Sequence, residues 1–234
     1  MTPKLVHRAI AETYGTFALV FFACGIIVMD SFPGARGGLL SIALVNALVL
    51  SVAVSSTIYI SGAHFNPAVT LAMLSVGRIP AVDAFVYIIS QLAGALLGAY
   101  TVTALLPGGV GRLVAWGTPL VNSAVGMKSA IGIEALLTFF LMSAVMGTAG
   151  SKRAPKIGGF GIGLTVFFAI MIGGPLTGAA LNPARAFGPA VISGTWAAHV
   201  VFWVGPIIGA LAAAMLWHHV LLRDEGAVID EVIV

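Results

Sequence analysis

SGAHFNPAV at residues 61–69 returns, with changes, as TGAALNPAR at residues 177–185. Each copy has a hydroxyl residue, Gly-Ala, two variable positions and then Asn-Pro-Ala. Asparagine is a good helix N-cap, proline suits the first helical position and alanine favours helix, so each Asn-Pro-Ala predicts a helix start. A helix start presents free backbone N–H groups and a partial positive charge. We therefore expect two positive helix ends inside this protein.

The composition places the chain in a membrane. Of its 234 residues, 59% are hydrophobic and 8% are charged, and the mean hydropathy is +1.08. Soluble domains carry about 25% charged residues. The 29 glycines suit close helix packing, and the single Cys24 allows no internal disulfide. The net charge of +3 comes from scattered residues and gives no nucleic-acid footprint.

Six apolar stretches are long enough to cross the hydrocarbon core, which needs about 20 residues. They lie at residues 9–29, 38–60, 80–106, 129–149, 157–175 and 196–222, with prolines 80, 107, 119, 155 and 175 at segment ends. Two shorter segments, 66–76 and 182–193, would each rise about 15 Å, half of that core. We expect these half-helices to meet at the midplane and form a seventh crossing.

The two halves of the chain read as repeats. ETYGTFAL at 12–19 matches EALLTFFL at 134–141, and GALLGA at 94–99 resembles GPIIGA at 205–210. Three spans per half is an odd number, so the second half enters from the opposite side. The sequence predicts an all-α membrane protein with six transmembrane helices plus two half-helices. We expect one transmembrane domain of two inverted repeats, about 9–106 and 129–222, with a site near the midplane.

The basic residues predict the orientation in the membrane, because cytoplasmic loops carry more Lys and Arg. A cytoplasmic N-terminus puts most of them inside, and the bias therefore favours cytoplasmic termini. The inner set is Lys4, Arg8, Arg78, Lys152, Arg153, Lys156 and Arg223, and the outer set is Arg36, Arg112 and Lys128. We expect a multi-pass protein of the cell's inner or plasma membrane.

The paired Asn-Pro-Ala loops, the second followed by Arg185, resemble the aquaporin or major intrinsic protein family, from Ala11 to about Trp217. The resemblance implies a passive water channel in the lipid bilayer that excludes protons and ions. It also implies a homotetramer with one pore in each subunit. We expect no cofactor, no metal and no nucleic-acid partner.

The pore motifs are Asn66, Pro67 and Ala68 in the first half, and Asn182, Pro183 and Ala184 in the second. An asparagine cap uses its side-chain oxygen toward its own helix, which leaves the amide NH₂ free to donate into a lumen. A water that accepts from both amides would point its hydrogens to the two mouths and break a proton-conducting chain. The alternative is that each asparagine only caps its helix.

Arg185 lies within membrane-buried sequence, where its counterpart in the first copy is Val69. An arginine there is costly and usually lines a cavity, although it could also snorkel to the outer surface. The family resemblance implies that Arg185 forms a selectivity filter together with Asn46, Ile170 and Ala179. Water-specific members carry a bulky aromatic residue and a histidine where this chain has Asn46 and Ile170.

The ring formed by these four filter side chains is wider and partly less polar than the corresponding ring of the strict water channels. The resemblance therefore implies water together with small neutral solutes: glycerol, urea, ammonia, hydrogen peroxide or metalloid acids. Ala186 and Ala190 lack the Asp and Lys of dedicated glycerol facilitators, and Phe202-Trp203 matches the water channels. We expect water as the first substrate, with an aquaglyceroporin-type facilitator as the alternative.

Glu12 and Glu134 lie inside the first span of each half. Paired carboxylates in a membrane could couple protons or catalyse a reaction, but they could also accept hydrogen bonds from the loops. We favour loop support, because both keep the same register in the repeats, and the resemblance implies the same. His64 is expected to bond the first loop, and it has no evident partners for a metal.

Two other classes of protein remain as hypotheses. Inverted repeats and broken helices also serve secondary transporters, which need a protonatable cluster in the lumen. An intramembrane enzyme would need a metal cluster or a paired nucleophile and base. The sequence shows neither at useful spacing, so we expect a channel and no enzymatic activity.

Overall fold

The structure is a computed structural model that describes residues 4–35, 37–149, 154 and 157–223. Within these ranges, six helices are long and apolar enough to cross a membrane. They are α1 (Leu5–Asp30), α2 (Gly38–Ser61), α4 (Ala81–Leu105), α6 (Met127–Ala149), α7 (Phe160–Thr177) and α9 (Val201–Leu216), which continues as a π-helical turn (Trp217–Leu221). The protein is therefore a multi-pass membrane protein, and the predicted fold class is confirmed.

The two half-helices begin at the predicted prolines: α3 is Pro67–Ser75 and α8 is Pro183–Ser193. Both follow an extended asparagine cap, as Asn-Pro-Ala chemistry requires. We call residues 62–66 the first loop and 178–182 the second loop. Gly62 and Gly178 end α2 and α7 in the left-handed conformation, with φ values of 80° and 82°. That conformation is the usual end of a helix at glycine.

Two helix boundaries differ from the sequence prediction. Pro175 was expected to end a helix, but α7 runs on to Thr177. There Asn122 donates to the carbonyls of Pro175 (3.2 Å) and Leu176 (2.9 Å), so the loop before α6 caps the late helix end. The sixth span begins at Val201 rather than near 196, because Ala198 turns the chain with φ of 52°.

A short helix, α5 (Gly108–Leu113), and a 3₁₀ turn (Ala115–Gly117) lie between α4 and α6. Neither was predicted, since α5 is six residues long and rich in glycine. The predictions for Arg36, Lys152, Arg153, Pro155 and Lys156 fall outside the described ranges.

Paired glycines let the first and third spans of each half touch backbone to backbone. A Cβ on Gly98 of α4 would lie 2.7 Å from a backbone oxygen of α1, and one on Gly94 would overlap another. In the second half, a Cβ on Gly205 of α9 would lie 2.8 Å from a backbone oxygen of α6. A Cβ on Gly209 would overlap a different backbone oxygen of α6. Small residues permit this approach in membranes. The two closely packed helix pairs, α1 with α4 and α6 with α9, flank the first and second loops, which lie at the centre of the protein.

Candidate functional site

A cavity of about 550 Å³, open ends included, lies between the two halves. Its walls come from α1, α2, α3, α6, α7, α8 and the two loops. Of the residues predicted from the sequence, the lining contains Asn46, His64, Asn66, Ile170, Ala179, Asn182 and Arg185. Most of the remaining lining is apolar: Leu19, Leu50, Val54, Leu141, Val145, Ile162 and Val166. The predicted pore residues therefore meet around one cavity with largely apolar walls.

Both asparagines cap their half-helices. The Oδ1 of Asn66 accepts from the N–H of Ala68 at 2.9 Å. The Oδ1 of Asn182 accepts from the N–H groups of Ala184 (2.9 Å) and Arg185 (3.3 Å). The prolines and alanines of the two motifs are buried in the first turns behind these caps. Each motif thus points an N-terminus at the cavity.

The amide nitrogens also tie the loops to each other. Asn66 Nδ2 donates to the carbonyl of Leu181 at 2.9 Å, and Asn182 Nδ2 donates to the carbonyl of Phe65 at 2.8 Å. The expectation of a fully free NH₂ is therefore wrong. An asparagine amide has two hydrogens, so one on each side chain is left for the cavity. The cross-bonds hold both amides side by side.

The two loops share an unusual backbone. Ala63 and Phe65 in the first loop have φ of 52° and 50°, and Ala179 and Leu181 in the second have 44° and 52°. Each such left-handed residue other than glycine costs about 1–2 kcal/mol. The loops therefore need strong partners to keep this shape.

Glu12 supplies those partners to the first loop. Its Oε1 accepts from the Ser61 hydroxyl (2.7 Å) and the His64 N–H (3.0 Å). Its Oε2 accepts from the Phe65 N–H (2.7 Å) and from Gln91 Nε2 (2.8 Å). Glu12 is fully buried and does not line the cavity. It therefore supports the first loop from outside the cavity.

Glu134 does the same for the second loop. Its Oε1 accepts from the Thr177 hydroxyl (2.6 Å) and the Ala180 N–H (3.0 Å). Its Oε2 accepts from the Leu181 N–H at 2.8 Å. This carboxylate is also fully buried and outside the cavity lining. The geometry matches loop support, and it places neither carboxylate where a transported proton would meet it.

The hydrogen bonds around His64 assign its tautomer. Thr70 Oγ1 donates its one hydrogen to the Asn66 carbonyl (3.0 Å) and accepts from Gln91 Nε2 (2.9 Å). The contact of 3.1 Å between His64 Nδ1 and Thr70 Oγ1 therefore requires the hydrogen on Nδ1. In the neutral ring, Nε2 is then an acceptor. His64 thus braces the first loop and lines the cavity.

Arg185 is buried beside the cavity, where its Nη1 donates to the carbonyl of Gly117 at 2.9 Å. It does not snorkel to the surface. Gly117 ends a run of left-handed residues, with Ala115, Trp116 and Gly117 at φ of 45°, 54° and 78°. Sequence reasoning missed this anchor. The Trp-Gly-Thr-Pro stretch at 116–119 carried a turn signal that could have marked it.

The remaining filter positions lie on α2, α7 and the second loop. Asn46, Ile170 and Ala179 are almost fully buried, yet all line the cavity. Asn46 Nδ2 donates to the carbonyl of Ile42 at 2.8 Å. These three side chains thus add one amide, one branched aliphatic group and one methyl group to the cavity wall. Within the described ranges, no group of three or more His, Cys, Asp or Glu residues is placed to hold a metal.

Comparisons with known proteins agree with this geometry. Residues 1–217 match the model of the family described as Major intrinsic protein. Aquaporin TIP4-4 of Zea mays is 36% identical over 231 residues, covering 94% of this chain and 89% of that protein. Nodulin-26 of Glycine max is 36% identical over 94% of this chain and 80% of its own length. Aquaporin-6 of Rattus norvegicus is 37% identical over 93% of this chain and 78% of its own length.

A solved structure shares the fold. The X-ray structure of the aquaglyceroporin from Plasmodium falciparum superposes with a TM-score of 0.86 at 24% identity. The match covers 97% of this chain and 100% of that one. At this identity the likeness speaks for the fold alone.

Proposed function

Because the chain belongs to the major intrinsic protein family, we propose that it is a passive channel that conducts water and small neutral solutes. It excludes protons and other ions. The observation that carries the proposal is the pair of asparagine amides, bonded to opposite loops, with one hydrogen each left for the cavity. No gradient coupling is involved in this activity.

The asparagine pair accounts for proton exclusion. A water oxygen between Asn66 and Asn182 accepts a hydrogen bond from each amide, so its own hydrogens point away toward the two mouths. Waters on either side orient oppositely, and the hydrogen-bonded chain cannot pass a proton through the centre. The N-termini of α3 and α8 add positive potential at the same place. That potential opposes cations as well as protons.

The apolar walls account for fast passage. Leu50, Val54, Val145 and Val166 offer no hydrogen bonds from their side chains. Water therefore meets polar partners only at the asparagines, His64, the filter and exposed loop backbone. A pore with few binding sites conducts quickly, because a solute that is not held can leave.

The filter composition accounts for a broader solute range. Asn46, Ile170 and Ala179 provide neither an aromatic ring nor an imidazole beside Arg185. The ring then has room for glycerol, urea, ammonia, hydrogen peroxide or metalloid acids. Ala186 and Ala190 stand where dedicated glycerol facilitators carry Asp and Lys, so water stays the first substrate.

The assembly and orientation follow the same reasoning. We expect a homotetramer in the cell's inner or plasma membrane, with both termini in the cytoplasm. Arg8 forms an ion pair with Asp83, so the starts of α1 and α4 lie at one end of the molecule. Arg78 and His218 also lie close enough to interact electrostatically. This clustering supports a shared cytoplasmic end.

A secondary transporter is the competing function. It would require a protonatable cluster in the lumen, whereas Glu12 and Glu134 stand outside the described cavity lining. Most of the hydrogen bonds that they accept come from the loops or from the helix residue directly before each loop. This observation favours the channel.

Osmotic shrinkage of proteoliposomes tests the proposal. Stopped-flow light scattering should show fast shrinkage with a low activation energy and no dependence on ions, compared with protein-free vesicles. An internal pH dye should report no added proton flux. Saturating flux coupled to an ion gradient would instead identify a transporter, and shrinkage at the rate of empty vesicles would refute a water pore.

A further inference from the structure

The amide of Asn46 has a defined orientation. Its nitrogen donates to the backbone carbonyl of Ile42, 2.8 Å away. A carbonyl can only accept, so the nitrogen must face Ile42 and the oxygen must face elsewhere. Within the described ranges, Oδ1 has no hydrogen-bond partner and is not among the unpartnered side-chain atoms sealed from solvent. Because Asn46 lines the cavity, its Oδ1 is an acceptor available to a passing solute.

The other three predicted filter side chains supply donors or no polar group at all. Arg185 uses Nη1 on the Gly117 carbonyl, and a guanidinium has further N–H groups to offer. The side chains of Ile170 and Ala179 are apolar. Among the four filter side chains, Asn46 is thus the source of an acceptor. It lies on α2, whereas the donors come from α8.

Donors and acceptors in a filter matter differently to different solutes. A hydroxyl group both donates and accepts, so water and glycerol can bind in a ring that offers donors only. The nitrogen edge of a urea or carboxamide can only donate, so it needs an acceptor. A solute N–H that is stripped of water without a partner meets a cost comparable to a lost hydrogen bond.

We propose that Asn46 is a specificity-determining residue that admits ureas and carboxamides. The solute's carbonyl accepts from Arg185 while its N–H group donates to Asn46 Oδ1. The inference rests on the proposed channel function and names a solute class for its filter. Urea is the smallest planar member of that class and serves as the probe.

Two pairs of variants separate hydrogen bonding from pore size. Asn46→Leu keeps a similar side-chain volume and removes the acceptor. Asn46→Ser and Asn46→Ala are both small, but the serine hydroxyl can donate to the Ile42 carbonyl and still accept from a solute. Ser51→Ala, on the same helix but outside the cavity lining, is the control. Each variant is reconstituted, and its permeabilities to water, urea and glycerol are measured in one vesicle preparation.

The acceptor hypothesis makes a specific prediction for urea. The ratio of urea to water permeability should fall about threefold to tenfold in Asn46→Leu, the loss expected for one neutral hydrogen bond. The ratio of glycerol to water should change much less. Asn46→Ser should keep a higher urea-to-water ratio than Asn46→Ala, and Ser51→Ala should match the wild type. The serine–alanine comparison tests the hypothesis even if the leucine variant does not fold.

Other outcomes would overturn the inference. Equal changes for urea and glycerol in Asn46→Leu, or equal urea-to-water ratios in Asn46→Ser and Asn46→Ala, would show that position 46 acts by size alone. Wild-type vesicles that pass water but not urea would also overturn it and leave the proposed function standing. Vesicles that pass neither would overturn both.

Discussion

Replacing Glu12 by alanine should unfold the first loop before it alters selectivity. The substitution leaves the N–H groups of His64 and Phe65 without their acceptor. Each buried donor without a partner costs about 1–3 kcal/mol, or about 2–6 kcal/mol for the two. The left-handed conformations of Ala63 and Phe65 then have less to hold them in place.

The loss is measurable as a melting temperature. A protein of this size loses about 2–4 °C for each kcal/mol, so Glu12→Ala should melt about 4–24 °C lower than the wild type. Intrinsic fluorescence of detergent-purified protein gives the midpoint, and size-exclusion chromatography gives the folded yield. Stopped-flow assays on the folded fraction then report whether the ratio of solute to water flux has changed.

Gln91→Leu is the matched control. It removes the side-chain bonds to Glu12 and Thr70 but leaves both backbone N–H bonds, and Gln91 Oε1 has no partner to lose within the described residues, so its cost should be near the lower end, about 1–3 kcal/mol. Phe202 precedes Gly205 by the spacing that separates Gln91 from Gly94, so the second half already has an apolar residue there. A Glu12→Ala variant with a wild-type melting temperature would refute the loop-support reasoning. A well-folded variant with altered gradient coupling would revive the transporter.

Three further predictions concern the filter and the packing. Arg185→Val should leave water flux largely intact but admit more solute or protons, because the filter loses its cation. Unchanged selectivity in flux assays would contradict the assignment of Arg185. Asn46→Phe combined with Ile170→His should narrow the ring and lower glycerol flux, and zero glycerol flux both before and after would reject the wide filter. Gly209→Ala should cost about 3 kcal/mol or more, since its Cβ overlaps the backbone of α6. Gly132→Ala, with open space around its Cβ, should melt no lower than the wild type, and equal melting of the two variants would contradict the packing argument.

Several parts of the site were predictable from local chemistry. The helix starts at Pro67 and Pro183 followed from asparagine capping and proline geometry, and the structure has both. The end of α7 and the start of α9 were less predictable. Pro175 is a helix breaker by sequence, but Asn122 from a distant loop donates to the carbonyls of the last turn. Tertiary hydrogen bonds outweighed local propensity there.

The sequence by itself determined the six spans, the paired half-helices and the repeat, because hydropathy and helix capping act between residues close in the chain. Only the tertiary structure decided how the amides of Asn66 and Asn182 divide their hydrogens, since each bonds a loop more than a hundred residues away. It also decided the anchor of Arg185 on Gly117, which lies in a separate turn before α6. A hydrogen bond depends on where two atoms meet in space, and here folding alone brings those atoms together.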